Sequence, residues 1–353
     1  MFQSPLYLED LDDCLDSTVN IDLIRGKTIL ITGATGMIGS FLVDALMRGN
    51  ETRNLDCTII ALGRDQEKAI KRFYTHFSKE RFFFLQHDIN YPILHKISAV
   101  DFILHSASTT HPVAYATKPI STITTNIFGT YNLLNFLYKT SPQARLVLTS
   151  SVEIYGQNRG DIDYFDEKYS GYIDCNTLRA GYPESKRLSE ALCQAYISEK
   201  GIDYVAARLP RTYGPTMLMS DTKALSQFIK KALNKEDIIL KSKGDQFFSF
   251  IYVADAVSAI LSIMLNGACG EAYNIADLQS DITLKDLAQL IAAANNTSLK
   301  FEIPDEKEAA GFSTATKAVQ SSVKLKTLGW VPIHNIKSGI TRTLCILQNK
   351  QVH

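Results

Sequence analysis

The sequence predicts an α/β protein: a doubly wound, Rossmann-type parallel sheet with a smaller, mixed C-terminal substrate-binding region. Three observations predict it. Short apolar runs alternate with longer stretches whose apolar residues recur at helical spacing. The first such run leads directly into a glycine-rich turn, Gly33, Gly36 and Gly39, which opens a helical pattern. And 353 residues with 45% apolar content are enough to bury a large core.

Residues 1–26 contain no clear strand and read as an N-terminal extension with a short helix over 6–15. Residues 28–32 form a brief apolar run ending at glycine, hence a buried strand. Helical spacing follows over 38–47. Residues 57–62 read as a second strand and 65–77 as a second helix. Further strands are expected at 82–86, 102–105, 146–149 and 205–209, with helices over about 120–138 and 182–200. Residues 27–210 therefore form a dinucleotide-binding domain that also holds the reacting residues. Residues 211–353 are mainly a substrate-binding region interleaved with it. Helices are expected there at 224–233, 254–265 and 284–293, and strands at 238–240, 248–252 and 273–275. No repeat or linker marks a boundary. The second half is expected to pack on the sheet edge and close a cleft.

Basic and acidic residues cancel at 37 each, which argues against nucleic-acid or membrane binding through bulk charge. The six cysteines show no paired spacing, so no metal is expected. No secretory signal pattern and no apolar run near the ~20 residues of a membrane span is present. A cytoplasmic setting is the expectation.

The glycine turn has a physical reading. Gly33 permits the tight turn, Gly36 lets backbone approach a pyrophosphate, and Gly39 lets helix and strand pack closely. The helix start then offers N–H groups and a positive dipole end to the phosphates. Arg64, just after the second strand, favours NADP because a guanidinium suits a 2′-phosphate. Asp65, one residue later, could serve NAD instead. Asp88 and Ile89 are expected at the adenine edge, and Ser106, Ala107 and Ser108 along the cofactor.

Tyr182 and Lys186 lie four residues apart and share one helical face. The ammonium is expected to lower the tyrosine pKa, so that Tyr182 exchanges a proton with a carbinol. Ser151 would hold the same oxygen. Glu153, two residues on, points the same way if the chain is extended there. It then serves as an additional acid or base, or as a buried carboxylate bonding backbone.

These residues resemble the extended short-chain dehydrogenase/reductases, the nucleotide-sugar epimerase/dehydratase family, over about residues 27–345. The resemblance rests on the glycine turn, Lys118-Pro119, Asn126 to Thr130, Ser151, Tyr182, Lys186 and Arg208. It continues through Tyr213-Gly214-Pro215, Phe250 to Asp255, Tyr273-Asn274-Ile275 and Leu328-Gly329-Trp330. It implies that Thr35, Met37, Ile38, Asn126, Thr149 and Leu209 also contact the cofactor, as do Tyr182 and Lys186. It implies substrate contacts at Ser108, Thr109, Ser151, Val152, Glu153, Arg211 and Thr216, and a nucleotide-activated sugar or alditol as substrate. It further implies a homodimer packed through the helices at 120–138 and 183–200.

Ser151-Val152-Glu153 is similar to the Thr-x-Glu of UDP-glucuronate decarboxylases and 4,6-dehydratases. Such enzymes oxidise a sugar carbinol and commonly reduce it again. Three departures stand out. Val152 replaces the aspartate of one dehydratase subclass. Phe248 stands where the family often has arginine. Arg211 replaces the usual asparagine, with Thr216 where an arginine often follows. Two other readings stay open: an NADPH-consuming reductase, and a non-catalytic dinucleotide-binding protein.

Overall fold

The computed structural model describes residues 4–110, 112–302 and 315–351. Seven parallel strands form the main sheet in the order β10-β6-β5-β4-β1-β2-β3. They are β1 (Thr28–Thr32), β2 (Thr58–Gly63), β3 (Phe82–Gln86), β4 (Phe102–His105), β5 (Arg145–Ser151), β6 (Asp203–Leu209) and β10 (Ala272–Asn274). Helices cover both faces, so the strands are apolar on both sides: Ile29, Leu30 and Ile31 are all fully buried. One core lies on each face. The doubly wound parallel sheet read from the sequence is therefore the fold.

The helices are α1 (Pro5–Asp16), α2 (Met37–Arg53), α3 (Gln66–Phe73), α4 (Pro112–Thr117), α5 (Pro119–Thr140) and α6 (Gly181–Lys200). Then come α7 (Ala224–Leu233), α8 (Val253–Asn266), α9 (Leu284–Ala294), α10 (Val323–Lys326) and α11 (Ile336–Gln351). The helix expected over 65–77 runs only over Gln66–Phe73: Asp65 caps its start, accepting from the Lys68 N–H, and residues 74–78 form turns. The strand β7 (Arg211–Tyr213) and the helix α11 were not anticipated. β7 is only three residues long, too short to show periodicity.

β1 pairs with β2 on one side and β4 on the other. The chain reverses winding direction there, which opens a crevice at the carboxyl ends of these strands. After residue 210 the chain builds a second layer. β7, β9 (Phe247–Tyr252), β11 (Asp281–Thr283) and β13 (Lys317–Ala318) form one small sheet, and β8 (Ile238–Leu240) pairs with β12 (Leu299–Phe301). The buried helix α8 and strand β10 then return to the main sheet. The second layer is thereby fixed over the crevice. No helix among the described residues is long and apolar enough to cross a membrane.

Helix α1 packs on α2 and α8. The Tyr7 hydroxyl donates to Asp44 of α2, and the Tyr252 hydroxyl to Asp10 of α1. Arg342 of α11 pairs with Asp10, and His334 sits between Asp13 and Asp255. Asp10, Asp13 and His334 thus form a carboxylate–imidazole cluster whose charge Arg342 offsets. Burial opposes a charge on His334. The hydrogen bond and charge of Asp255, with the charge of Asp10, nevertheless hold its pKa above the ordinary 6.5. A raised folded-state pKa gives stability that is present below pH 6.5 and fades as pH rises through the raised value. The stability lost in His334→Gln, measured by urea denaturation, should be larger at pH 6 than at pH 9. A gap that is equal at both values would contradict a charged His334.

Candidate active site

Gly33 has φ +65°, and a Cβ there would lie 2.7 Å from the backbone of Ser106 and Ala107. β4 can therefore approach β1 closely only with glycine at this position. A Cβ on Gly39 would come within 2.6 Å of the Gly33 carbonyl. Gly36 caps α2 without a side-chain hydrogen bond. The first N–H groups of α2 thus keep no intrahelical partner, and Met37, Ile38 and Gly39 border a cavity in the crevice. Ser150 lines the same cavity, and its Oγ is buried without a hydrogen-bond partner among the described residues. Free donors at a helix start and an orphaned hydroxyl fit a dinucleotide diphosphate.

The floor of the cavity is cross-tied. Ser106 Oγ donates to the Thr32 carbonyl (2.6 Å), and Thr149 Oγ1 to the His105 carbonyl (2.9 Å). Ser108 Oγ donates to Asn126 Oδ1 (2.7 Å), whose Nδ2 donates to Ser185 Oγ (2.8 Å). Ser185 donates in turn to the Tyr182 carbonyl. Asn126 is thus a buried strut between α5 and the first turn of α6.

Lys186 is buried, and its Nζ donates to the Thr149 carbonyl at 2.8 Å. Burial pulls its pKa down to about 8, against the opposing charge of Glu190. Tyr182 is buried and borders the same cavity as Ser151. Its pKa is raised, contrary to the expectation from sequence. Burial is the main cause, the charge of Glu153 adds to it, and the nearby Ser151 hydroxyl, Arg179 charge and Tyr115 hydroxyl counter only part. The ammonium of Lys186 is aimed at the Thr149 carbonyl and does not offset that burial.

The extended geometry expected at 151–153 is also corrected. Val152–Tyr155 is a 3₁₀ turn capped by Ser151, whose Oγ accepts the Glu153 N–H at 3.2 Å. Ser151 and Glu153 still share the cavity, through the cap rather than through the pleat. Arg179 Nη2 pairs with Glu153 Oε1 at 2.9 Å, and its guanidinium lies over the Tyr115 ring. Tyr115 stacks on Tyr182, with centroids 4.8 Å apart.

Of the residues expected in the site, Gly33, Gly36, Met37, Ile38, Gly39, Ser106, Ser108, Thr149, Ser151, Val152, Glu153, Tyr182, Lys186, Leu209 and Arg211 line this cavity. Others lie elsewhere. Thr216 is buried with its hydroxyl donating to the Met37 carbonyl, and does not border the cavity. Asp88 accepts from Asn90, while Ile89 and Ala107 pack into the second core. Arg64 and Asp65 are exposed at the end of β2, Thr35 faces Gly63, and Thr109 does not border the cavity. Thr110, Tyr115, Asp221 and Lys223 line it and were not foreseen, nor was Arg179, which joins the site through its ion pair with Glu153. Thr110, Asp221 and Lys223 sit in irregular segments, and Tyr115 and Arg179 on helical pieces of six and three residues, too short for spacing to carry a signal. Arg179 alone offered one, a cation three residues before Tyr182.

Residues 29–276 match the family described as the NAD dependent epimerase/dehydratase family. UDP-glucuronic acid decarboxylase 1 of Xenopus tropicalis is 31% identical over 331 residues, 93% of this chain and 73% of that protein. The Danio rerio protein of that name is 32% identical, covering 93% and 74%. Among solved structures, the dTDP-glucose 4,6-dehydratase DesIV of Streptomyces venezuelae, with NAD bound, superposes with a TM-score of 0.79 at 22% identity, over 92% of this chain and 98% of that one. At that identity the likeness speaks for the fold.

Proposed function

The chain belongs to the NAD-dependent epimerase/dehydratase family, and on that premise we propose that it is a decarboxylase-type enzyme acting on a nucleotide-activated uronic acid. Like its relatives it is an enzyme that converts a nucleotide sugar through a keto intermediate. The observation that carries the narrower reading is the cavity itself. Ser151, Tyr182 and Lys186 meet Glu153 there, Arg179 pairs with that carboxylate, and Val152 contributes no further acid.

The bound dinucleotide supplies a hydride acceptor and later the hydride donor, so no external oxidant is consumed. Ser151 and Tyr182 hold the C4 oxygen of the sugar, and Tyr182 takes its proton as the carbonyl forms. That carbonyl is β to the carboxylate on C5. The bond from C5 to the carboxylate carbon then breaks, CO₂ leaves, and the electron pair moves onto the C4 oxygen. Tyr182 and Ser151 steady that oxygen by hydrogen bonding. A proton from solvent ends on C5, and Glu153 is the side chain placed to deliver it. Expelling hydroxide would need an additional acid, and at that position Val152 has none. Loss of CO₂ from a β-keto acid needs none.

NADP remains the favoured cofactor form, with NAD accommodated. The Asp65 carboxylate is engaged in capping α3, whereas Arg64 beside it is exposed. A homodimer would cover Phe128, Tyr131 and Tyr138, exposed along α5, and Leu188 on α6. A cytoplasmic setting fits the free cysteines, three of them exposed.

Purified protein incubated with UDP-glucuronate should release CO₂ and leave a UDP-pentose. Tyr182→Phe should cut this by at least about 100-fold, the scale of a lost general acid/base. Glu153→Gln should slow CO₂ release while reversible oxidation persists. No CO₂ from the unmodified enzyme would refute the proposal. Arg64→Ala should lower the NADP-to-NAD affinity ratio about tenfold, as for a lost charge-assisted contact; an unchanged ratio would remove Arg64 from cofactor selection. In sedimentation velocity the protein should run as a dimer and the Phe128→Glu/Leu188→Glu variant as a monomer. Dimers in both would place the interface elsewhere.

A further inference from the structure

Arg211 opens β7, and its guanidinium lies over the ring of Phe248 at 3.5 Å. The pairing of β7 with β9 sets Arg211 opposite Phe250. Phe248, two residues earlier on β9, therefore presents its ring on the same side. A guanidinium stacked on an aromatic ring keeps its in-plane N–H donors free for a planar anion. Arg211 Nη1 is buried with no hydrogen-bond partner among the described residues, and Arg211 borders the catalytic cavity. Burial depresses its pKa to about 10, against the charge of Glu153 and with that of Arg179. It is still charged at neutral pH, with an unused donor at the edge of the cavity. Leaving such a donor unpaired is costly.

We infer that Arg211, braced on Phe248, is the specificity-determining residue that binds a carboxylate carried by the sugar. Two charges locate it at the reacting end. Glu153, on the turn capped by Ser151, and Arg179, its ion-pair partner, both act on Arg211. The free donors that suit a diphosphate belong to α2 instead. The bidentate geometry of guanidinium with carboxylate would then let the site tell a uronic acid from the matching neutral hexose. The inference rests on the proposed reading only in placing a nucleotide sugar in this cavity.

Binding of UDP-glucuronate, UDP-glucose and UDP to the dinucleotide-loaded protein can be measured by calorimetry. The wild type should prefer the uronate, and Arg211→Gln should weaken uronate binding at least about tenfold while UDP-glucose and UDP change less than about twofold. Phe248→Leu, which keeps the charge and removes the brace, should reduce uronate binding by a smaller factor. Equal weakening of all three ligands by Arg211→Gln would assign Arg211 to the diphosphate and overturn the inference. So would unchanged uronate binding in a variant whose melting temperature and dinucleotide content match the wild type. CO₂ release is a separate readout. Uronate selectivity lost with Arg211 in an enzyme that releases no CO₂ would retain this inference and reject the proposed reaction.

Discussion

Lys186 carries its ammonium into the protein interior and spends it on one acceptor, the carbonyl of Thr149. That bond ties α6 to the end of β5, and Thr149 in turn is tied to β4 through the His105 carbonyl. The first turn of α6 is held from its other side by Asn126 and Ser185. Tyr182 therefore has little freedom relative to Ser151 at the end of β5. A buried ammonium is expensive, and its pKa falls to about 8 as a consequence. The fold accepts this cost where the crevice between β1 and β4 opens. The glycine turn, the reacting hydroxyls and the second layer of the chain all converge there.

The electrostatics beyond this anchor run in one direction. Burial and Glu153 both push the Tyr182 phenol toward its neutral form. Positive charge offsets this from Arg179, which is paired with Glu153, and Arg211 lies close enough to feel both. A positively charged nicotinamide would favour the phenolate, and its reduced form would not. Acidity of Tyr182 is then coupled to the redox state of the site rather than being permanent. Glu153, Arg179 and Arg211 form a compact charged group beside Tyr182.

Much of this was legible in the residues themselves. β1 followed by Gly33, Gly36 and Gly39 gave the strand, the turn and the helix start, because steric limits at those three positions admit little else. The four-residue spacing of Tyr182 and Lys186 placed both on one helical face. Other features were hidden for physical reasons. The 3₁₀ turn after Ser151 depends on a single cap bond and has no periodic signature. Tyr115 reaches Tyr182 from a short helix nearly seventy positions earlier in the chain, a contact made only by folding. The tyrosine's raised pKa depends on how deeply it is buried, which spacing does not encode. Thr216 looked like a substrate residue by position, yet its hydroxyl braces the start of α2. The exchange of basic residues near Phe248 made sense only once β7 was seen beside β9.

The central claim is that the sugar is oxidised and reduced within one site while its carboxylate is lost. The most direct test is to supply UDP-glucuronate carrying deuterium at C4 and weigh the product. The account predicts a pentose product that retains the C4 deuterium and takes one solvent hydrogen at C5, with no net change in the dinucleotide. Product with C4 deuterium exchanged for solvent hydrogen, or one equivalent of reduced dinucleotide formed per turnover, would contradict it.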